Sequence, residues 1–209
     1  MTEGSGVDTR FDSGALVLDF VNSTTGRSRG PSRWEDSLTD AFATLTWLRR
    51  REGVDEGLFR ALMRIAASDE AASDEFMDDV RRLRATLERI FRAAIAGERP
   101  EEADLAALAD YAPGAQAGTS RLVWGPQGLT RMQAEPAELD LGHALRPVVA
   151  SAEALLTAEH LGRVKVCGSS SCQWLFLDTS KNNSRRWCRM DVCGNREKGR
   201  RRLQRERAA

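Results

Sequence analysis

All four cysteines of the chain lie within 27 residues near its C-terminus. They form two pairs, Cys167 with Cys172 and Cys188 with Cys193, and four residues separate the members of each pair. Two close pairs joined by one intervening span can place four thiolates around a single tetrahedral metal ion. Zinc is the usual ion for such a set of ligands. The sequence therefore predicts one structural zinc ion on these four cysteines.

Two disulfides, or four unrelated buried thiols, are the alternatives to a metal site. Disulfides require an oxidising compartment, and residues 1–10 lack the basic and then apolar pattern of a secretory signal. Unrelated thiols would not be expected to gather in one short segment while the other 182 residues contain none. The apolar runs are also too short to span a bilayer. We therefore expect a cytoplasmic zinc protein that does not cross a membrane.

The sequence offers no arrangement of residues typical of an enzyme. Four cysteine ligands leave zinc no open position for a substrate, whereas catalytic zinc keeps one. The chain has two histidines, His143 and His160, and neither is near a candidate nucleophile in sequence. A phosphate-binding glycine loop and a Gly-x-Ser-x-Gly elbow are both absent. We expect a protein without catalytic activity.

The net charge of zero conceals a strong asymmetry along the chain. Residues 163–209 contain thirteen Lys or Arg and four Asp or Glu, a balance of +9, which leaves −9 for the remainder. A basic tail on an acidic body indicates a partner with negative charge, and arginine suits phosphate oxygens and guanine edges. We expect nucleic acid, and double-stranded DNA in particular, to bind at Arg185, Arg186, Arg189, Arg196, Lys198, Arg200, Arg201 and Arg202.

Other partners for the basic tail remain open from the sequence. Its arginines could pair with the acidic body of the same chain, or dock on an acidic protein or an RNA-containing assembly. Trp174, Leu175 and Phe176 could stack on bases, but three adjacent apolar residues in so small a module more often form its core.

The cysteines need short elements that bring the two pairs together. Residues 163–167 and 173–178 are expected to be strands on either side of the first pair, and residues 185–188 a short returning strand. The segment 194–207 is rich in good helix formers and contains no proline. This order predicts a treble-clef-like zinc finger. A module of this size buries little apolar surface, so the metal should contribute most of its folding free energy.

Helical periodicity dominates the rest of the chain. The mainly α fold that we predict has a helical N-terminal domain with a small β-hairpin over residues 1–160 and the zinc finger over residues 161–209. Apolar spacing, capping residues and Gly or Pro stops predict helices at about 34–51, 55–65, 73–97, 101–111 and 137–159, and strands at 121–124 and 129–132. Ser73 or Asp74 is expected to open the third of these helices, and Pro147 to kink the last or mark its first turn.

A short apolar helix near the N-terminus carries two polar residues on one face. Asp12 or Ser13 could cap this helix, and Asp19 and Asn22 lie three residues apart within it. A buried carboxylate needs a partner. One interpretation is that Asp19 binds an arginine or backbone amides and anchors the segment. The other is that Asp19 and Asn22 line a pocket for a small-molecule effector.

Two stretches of the chain resemble known families. Arg-Arg-Trp-Cys-Arg-Met-Asp-Val-Cys-Gly-Asn-Arg (185–196), preceded by Trp-Leu-Phe-Leu-Asp-Thr-Ser (174–180), resembles the CGNR zinc-finger family, with all four ligand positions present. Leu-Val-Leu-Asp-Phe-Val-Asn (16–22) is similar to the opening motif of the ABATE domain that precedes this finger in bacterial proteins. The resemblance implies a mainly α stress-type transcription regulator. We therefore expect a DNA-binding protein whose helical domain senses an effector or forms a homodimer.

Overall fold

A computed structural model describes most of the chain and confirms the mainly α fold. The described residues are 13–25, 35–51, 53–111, 121–125, 128–132, 139–157 and 159–208. They form α-helices α1 (Leu16–Val21), α2 (Ala41–Arg50), α3 (Glu56–Ser68), α4 (Glu70–Ala96), α5 (Glu102–Asp110), α6 (Arg146–Thr157) and α7 (Asn195–Ala208). They also form strands β1 (Thr24–Thr25), β2 (Glu35–Asp36), β3 (Arg121–Gly125), β4 (Gly128–Met132), β5 (Val164–Val166) and β6 (Leu175–Leu177).

Helix α1 lies at the centre of the molecule. All six of its residues are buried, and it packs against α4, α6 and β6. A helix this short is unstable alone in water, so its stability comes from this packing. The expectation that Ser13 caps α1 is wrong, because the helix begins after Ala15 without a side-chain cap. The Ser13 hydroxyl instead accepts a hydrogen bond from Asn22, and Asp12 lies outside the described residues.

Aspartate caps open the next three helices. Asp40, Asp55 and Asp69 accept backbone N–H groups at 2.8, 2.9 and 2.9 Å at the starts of α2, α3 and α4. Helix α4 therefore begins before Ser73 and Asp74, where the sequence placed its start. The Ser73 hydroxyl donates to a carbonyl of α3 instead. Gly97 ends α4 with a φ of 74°, a left-handed conformation that glycine adopts without strain.

Helix α2 starts later than expected because the residues before it belong to a two-stranded ladder. Strand β2 pairs with β1, and Asp36 of β2 binds the buried guanidinium of Arg84 from α4 at 2.5 and 2.8 Å. Arg84 also donates to the hydroxyl of Ser23 at 2.7 Å. These bonds satisfy a charge that would be costly to bury alone, and they fix the ladder on α4.

The helical pattern after residue 137 divides into two elements. A 3₁₀ segment, Leu141–Leu145, is opened by a capping box in which Asp140 and His143 bond each other's backbone N–H groups. Helix α6 follows directly, and Pro147 is its second residue. Pro147 therefore marks a first helical turn, where its missing N–H has no partner to lose. The α4 helix, at 27 residues, is the longest, and no helix in the described parts is apolar over enough length to cross a bilayer.

Two antiparallel hairpins confirm the predicted strands. Strands β3 and β4 pair from Arg121 with Met132 to Gly125 with Gly128. Strands β5 and β6 pair around the first two cysteines, with Lys165 opposite Phe176. Residues 185–188 form no strand, contrary to expectation. They cross residues 167–173, the first cysteine turn, where the N–H of Gly168 donates to the carbonyl of Arg186 at 2.7 Å.

The main core can be tested by truncating one leucine of α4. Leu87 is fully buried, so we expect Leu87→Ala to lower the free energy of unfolding by about 2 to 5 kcal/mol through lost burial and the cavity that remains. Leu105 of α5 is 37% exposed, and Leu105→Ala should change it by less than about 1 kcal/mol. Urea denaturation measures both, and equal effects would contradict this core.

Candidate metal centre

The sulfur atoms of the four cysteines form one compact cluster. Their Sγ atoms all lie within 4.8 Å of one another, and none is in a disulfide. Cys188 Sγ is 3.6 Å from Cys172 Sγ and 3.7 Å from Cys193 Sγ. Tetrahedral zinc with Zn–S bonds of about 2.3 Å would place its sulfurs about 3.8 Å apart. The donor set therefore fits a single zinc ion with a closed coordination shell.

The first cysteine turn is held tightly against the segment that precedes the second pair. Cys167 follows β5, and its N–H donates to the carbonyl of Trp174 at 2.8 Å. A Cβ atom at Gly168 would lie 3.0 Å from the Arg186 carbonyl oxygen, so this close approach favours glycine. The N–H of Cys188 donates to Cys167 Sγ at 3.4 Å, a contact that stabilises negative charge on the sulfur.

A single wide turn connects the two cysteines of the second pair. Residues Met190–Gly194 form a π-helical turn directly before α7, and the N–H of Cys193 donates to the carbonyl of Arg189 at 2.9 Å. The last ligand therefore precedes the first residue of α7 by two positions. Any ion bound by Cys193 also fixes where α7 starts.

Without a cation the sulfurs would share protons rather than all ionise. The neighbouring thiol of Cys172 stabilises the Cys167 thiolate and lowers the pKa of Cys167 to about 2. The same contact raises the pKa of Cys172 to about 12, and Cys167 likewise raises the pKa of Cys188. Four thiolates this close need a divalent cation to offset their repulsion. Metal binding at this cluster should therefore release protons.

A buried carboxylate holds the loop between the two pairs. The side chain of Asp178 is fully buried and accepts from Lys165 Nζ at 2.6 Å and from the backbone N–H of Arg185 at 2.8 Å. Its other oxygen accepts from both the N–H and the hydroxyl of Ser180. Burial opposes ionisation, but these hydrogen bonds, led by that of Lys165, hold the pKa of Asp178 below its usual range. Asp178 is thus a stable anion that fixes the loop, a role that the sequence analysis missed.

The finger is bonded to the N-terminal segment of the chain. Asn22 Nδ2 donates to the carbonyl of Leu175 at 2.7 Å, and the N–H of Leu175 donates back to Asn22 Oδ1 at 3.0 Å. The N–H of Leu177 donates to the carbonyl of Ser13 at 2.8 Å. Residues on both sides of α1 thus bond to the edge of β6 that does not pair with β5, in the manner of an added strand.

Asp19 is also committed to contacts within the chain. One of its oxygens accepts from the N–H of Ser13 at 2.8 Å, and the other lies 3.4 Å from Arg51 Nε. Arg51 in turn stacks on Trp47, with its guanidinium carbon 4.1 Å from the ring centroid. These contacts, with those of Asn22, are the ones that the anchoring interpretation requires. The effector pocket at Asp19 and Asn22 stays a prediction.

The eight basic residues proposed from sequence lie in two different environments. The guanidinium of Arg185 turns inward, donating to the Cys188 carbonyl and lying 5.0 Å from the ring centroid of Phe176. The other seven are exposed. Arg186 lies over Trp187, and Arg189 and Arg202 pair with nearby acids. The exposed residues are Arg186, Arg189, Arg196, Lys198, Arg200, Arg201 and Arg202.

Two arginines of α7 reach back over the first cysteine turn. Arg196 Nη1 donates to Ser171 Oγ, and Arg200 Nη1 donates to Ser170 Oγ, both at 2.8 Å. The two arginines are four residues apart and share one helix face. The sequence pattern does not indicate this role for the two serines. Their hydroxyls are in fact part of the same basic surface.

Glu197 fixes the geometry of this surface. Its buried carboxylate accepts from Ser169 Oγ at 3.0 Å and pairs with Arg200 Nη2 at 2.7 Å. Burial opposes ionisation of Glu197, but the Ser169 hydroxyl and the charge of Arg200 lower its pKa. The sequence does contain a signal for this role of Glu197, because it is an acidic residue in the first turn of a strongly basic helix.

Comparison with known families agrees with this architecture. The model of the CGNR zinc finger matches residues 163–206. The ABATE model, described as a putative stress-induced transcription regulator, matches residues 14–159. Both matches confirm the resemblances stated for residues 185–196 and 16–22, in the same order along the chain. No curated protein matches the chain significantly.

The metal centre predicts a defined stoichiometry. We expect freshly purified protein to contain about one equivalent of zinc, and Cys172→Ser to lose most of it, because three thiolates no longer close the shell. Cys172 is the partly exposed ligand, so its replacement disturbs packing least. Ser170→Ala, which alters an exposed neighbour in the same turn, should keep its zinc. Mass spectrometry of the intact protein and metal analysis measure this, and full zinc content in Cys172→Ser would contradict the assignment.

The link between α1 and the finger can be tested at Asn22. Asn22→Leu keeps the size of the side chain but leaves the buried N–H and carbonyl of Leu175 without partners, each at a cost of about 1 to 3 kcal/mol. We therefore expect a clear drop in melting temperature. Asn182→Leu, in an exposed loop, is the matched control and should melt like the parent. Identical melting of both variants would show that Asn22 is not an anchor.

Proposed function

Because this chain belongs to the ABATE family and ends in a CGNR zinc finger, we propose that it regulates transcription by binding double-stranded DNA through the finger. The observation that carries this proposal is the pair formed by Arg196 and Arg200 over the first cysteine turn. In this proposal the zinc is structural, and the helical domain senses a signal or pairs two copies of the chain.

The charge on α7 supports a polyanionic partner. The helix carries seven basic and two acidic side chains. One of the two acids, Glu197, is buried and already paired with Arg200. All described side chains from Lys198 to Arg207 are exposed. A helix this basic repels itself unless an anion lies near it, and DNA phosphates supply such anions.

The first cysteine turn suits a backbone phosphate. Each guanidinium group has five N–H donors, and those of Arg196 and Arg200 direct one each to a serine hydroxyl. The hydroxyls of Ser170 and Ser171 accept these bonds. The Ser170 hydroxyl already donates to Glu197 Oε1 at 3.5 Å, whereas the Ser171 hydroxyl can donate its proton to a phosphate oxygen. Two guanidinium groups and one hydroxyl on one rigid surface would hold a phosphate by both charge and geometry.

The remaining basic residues would extend this contact along the duplex. Lys198, Arg201 and Arg202 lie at other positions around the same helix. Arg186 and Arg189 lie near the second cysteine pair in the chain. Arg185 contributes indirectly in this proposal, since its guanidinium is used to hold the Cys188 carbonyl. Exposed side chains of this kind position a protein on DNA, whereas sequence selection needs contacts with base edges.

An RNA or an acidic protein is the alternative partner for this surface. The described contacts of α7 do not favour docking on the acidic body of the same chain, because the side chains of residues 198–207 stay exposed. An acidic protein would meet the same arginines but would lack the regular phosphate spacing of a duplex. The two kinds of partner differ in how binding depends on salt.

The test replaces the two arginines of the first cysteine turn. We expect Arg196→Ala with Arg200→Ala to weaken binding to a mixed-sequence DNA duplex by roughly 10-fold or more, and to reduce the salt slope by about two units. The control pair is Arg60→Ala with Arg64→Ala, which removes the same charge at the same spacing from exposed positions of α3. Fluorescence anisotropy at several salt concentrations measures both quantities, with zinc content confirming an intact finger.

Three results would overturn the proposed function. One is equal affinity of the parent and the Arg196 and Arg200 double variant for the duplex. Another is an equal loss in the α3 control pair, which would indicate attraction by net charge alone. The third is a preference for single-stranded RNA over duplex DNA at every salt concentration.

A further inference from the structure

A cavity opens on the helical body, away from the zinc finger. It has a volume of about 910 Å³ and lies between α3, α4, α5 and the 3₁₀ segment that precedes α6. Phe76 and Leu141, both almost fully buried, contribute to its walls, as do Ile65 and Ala107. Sites for drug-sized organic molecules occupy about 300 to 1,000 Å³ and are largely apolar with a few polar groups. The cavity is therefore large enough for a ligand and has apolar surface to bind one.

The charges around the cavity disfavour a polyanion. Among the described lining residues, five are Asp or Glu and three are Arg. Two of these arginines are already engaged, Arg82 with Asp79 at 2.6 Å and Arg89 with Asp104 at 2.6 Å. A nucleotide or another phosphate-rich molecule would meet net negative charge here. A neutral molecule avoids this repulsion.

Tyr111 adds an uncharged polar group to the wall. Its hydroxyl donates to Asp79 Oδ1 at 2.9 Å. Burial, together with the charge of Asp79, raises the pKa of Tyr111 to about 12, so the phenol stays neutral at physiological pH. The phenol oxygen keeps its capacity to accept a hydrogen bond, and the side chain adds aromatic surface to the lining.

His143 leaves one buried polar atom without a partner at the same cavity. Its ring Nδ1 lies 2.9 Å from Asp140 Oδ1, and only 7% of the side chain is exposed. Its Nε2 is buried and, among the described residues, is the only buried side-chain nitrogen or oxygen without a hydrogen bond. Such an atom costs about 1 to 3 kcal/mol unless something satisfies it. Nε2 has no contact with solvent in this structure, so a hydrogen-bonding group on a bound molecule would satisfy it once the ring turned toward the cavity.

We propose that this cavity is a binding site for a neutral, mainly aromatic organic molecule with one hydrogen-bonding group, held between Phe76, Tyr111 and His143. Asp19 and Asn22, which line a ligand pocket in one of the two interpretations of the sequence, do not contribute to the lining of this cavity. The site instead uses residues that are far apart in the sequence and meet only where α4 and α5 pack beside the 3₁₀ segment.

Helix α4 connects the cavity with the finger. Thr86 and Arg89 of α4 line the cavity, and Arg92, one helical turn further, donates to the carbonyl of Gln173 in the first cysteine turn at 3.3 Å. A ligand that shifted α4 would therefore act on the finger directly. This regulatory role rests on the proposed DNA binding, but occupancy of the cavity does not.

Two matched dyes test the site in the full-length, zinc-loaded protein without DNA. N-phenyl-1-naphthylamine is a neutral aromatic amine that becomes fluorescent in apolar surroundings, and 8-anilino-1-naphthalenesulfonate is its sulfonated, anionic counterpart. We expect saturable binding of the neutral dye at one site per chain, and at least about 10-fold weaker binding of the sulfonate because of the acidic rim. Tyr111 is the only tyrosine of the chain, so ¹³C-tyrosine labelling gives one set of ring signals, which should move as the neutral dye binds.

Two substitutions on α5 locate the dye. Ala107 lines the cavity, so Ala107→Phe should fill part of it and weaken binding of the neutral dye at least about 10-fold. Ala106 is exposed beside it and does not contribute to the lining, so Ala106→Phe should bind like the parent. The proposal is overturned if the neutral dye does not saturate, if Tyr111 signals stay fixed, if the sulfonate binds as tightly, or if both variants bind equally. DNA binding is measured separately, so its failure would leave this result unaffected.

Discussion

The side chains of the three-residue strand β6 pack into two different cores. Leu175 is buried against the helical body, whereas the next residue, Phe176, is buried among the cysteines. Alternation of side chains across a strand makes this division unavoidable. A shift of one residue in the β5–β6 register would place Phe176 in the body and the leucines at the metal. The position of the zinc cluster relative to the helices therefore depends on this one register.

Hydrogen bonds made by the buried side chains of Asn22 and Asp178 reinforce that register. Asn22 forms hydrogen bonds with both the N–H and the carbonyl of Leu175. Asp178 accepts hydrogen bonds from Lys165, Ser180 and the N–H of Arg185. Because an unsatisfied buried polar group costs more than a good hydrogen bond gains, these groups tolerate few alternative arrangements. They give the small finger a defined orientation, which its limited apolar surface could not provide by itself.

The same construction provides a path by which a signal in the body would act on the proposed nucleic-acid surface. Helix α4 contacts α1, α3, α5 and β5, and its Arg92 reaches the first cysteine turn. Arg196 and Arg200 are positioned by that turn through Ser171 and Ser170. A packed helix transmits displacement because close-packed interiors do not absorb it. The cavity, the finger and the basic surface are thus parts of one continuous set of contacts.

The sequence by itself determined the chemistry and the order of the elements. Cysteine spacing indicated the zinc ligands, apolar periodicity indicated the helices and the hairpin at β3 and β4, and the charge asymmetry indicated the basic helix α7. These features follow from local rules about ligand spacing, periodicity and composition. Helix starts were less certain, since Asp69 opens α4 ahead of the equally suitable Ser73 and Asp74.

Only the tertiary structure decided which partners those residues have. Arg185 was expected to bind nucleic acid because of its charge, and only the structure reveals that its guanidinium donates to the Cys188 carbonyl. Ser13 was expected to cap α1 but bonds Asn22 and Leu177 instead. The cavity at His143 has no signature in sequence. In each case the deciding contact joins residues that packing brings together, and local patterns contain no information about which distant groups will compete for the same bond.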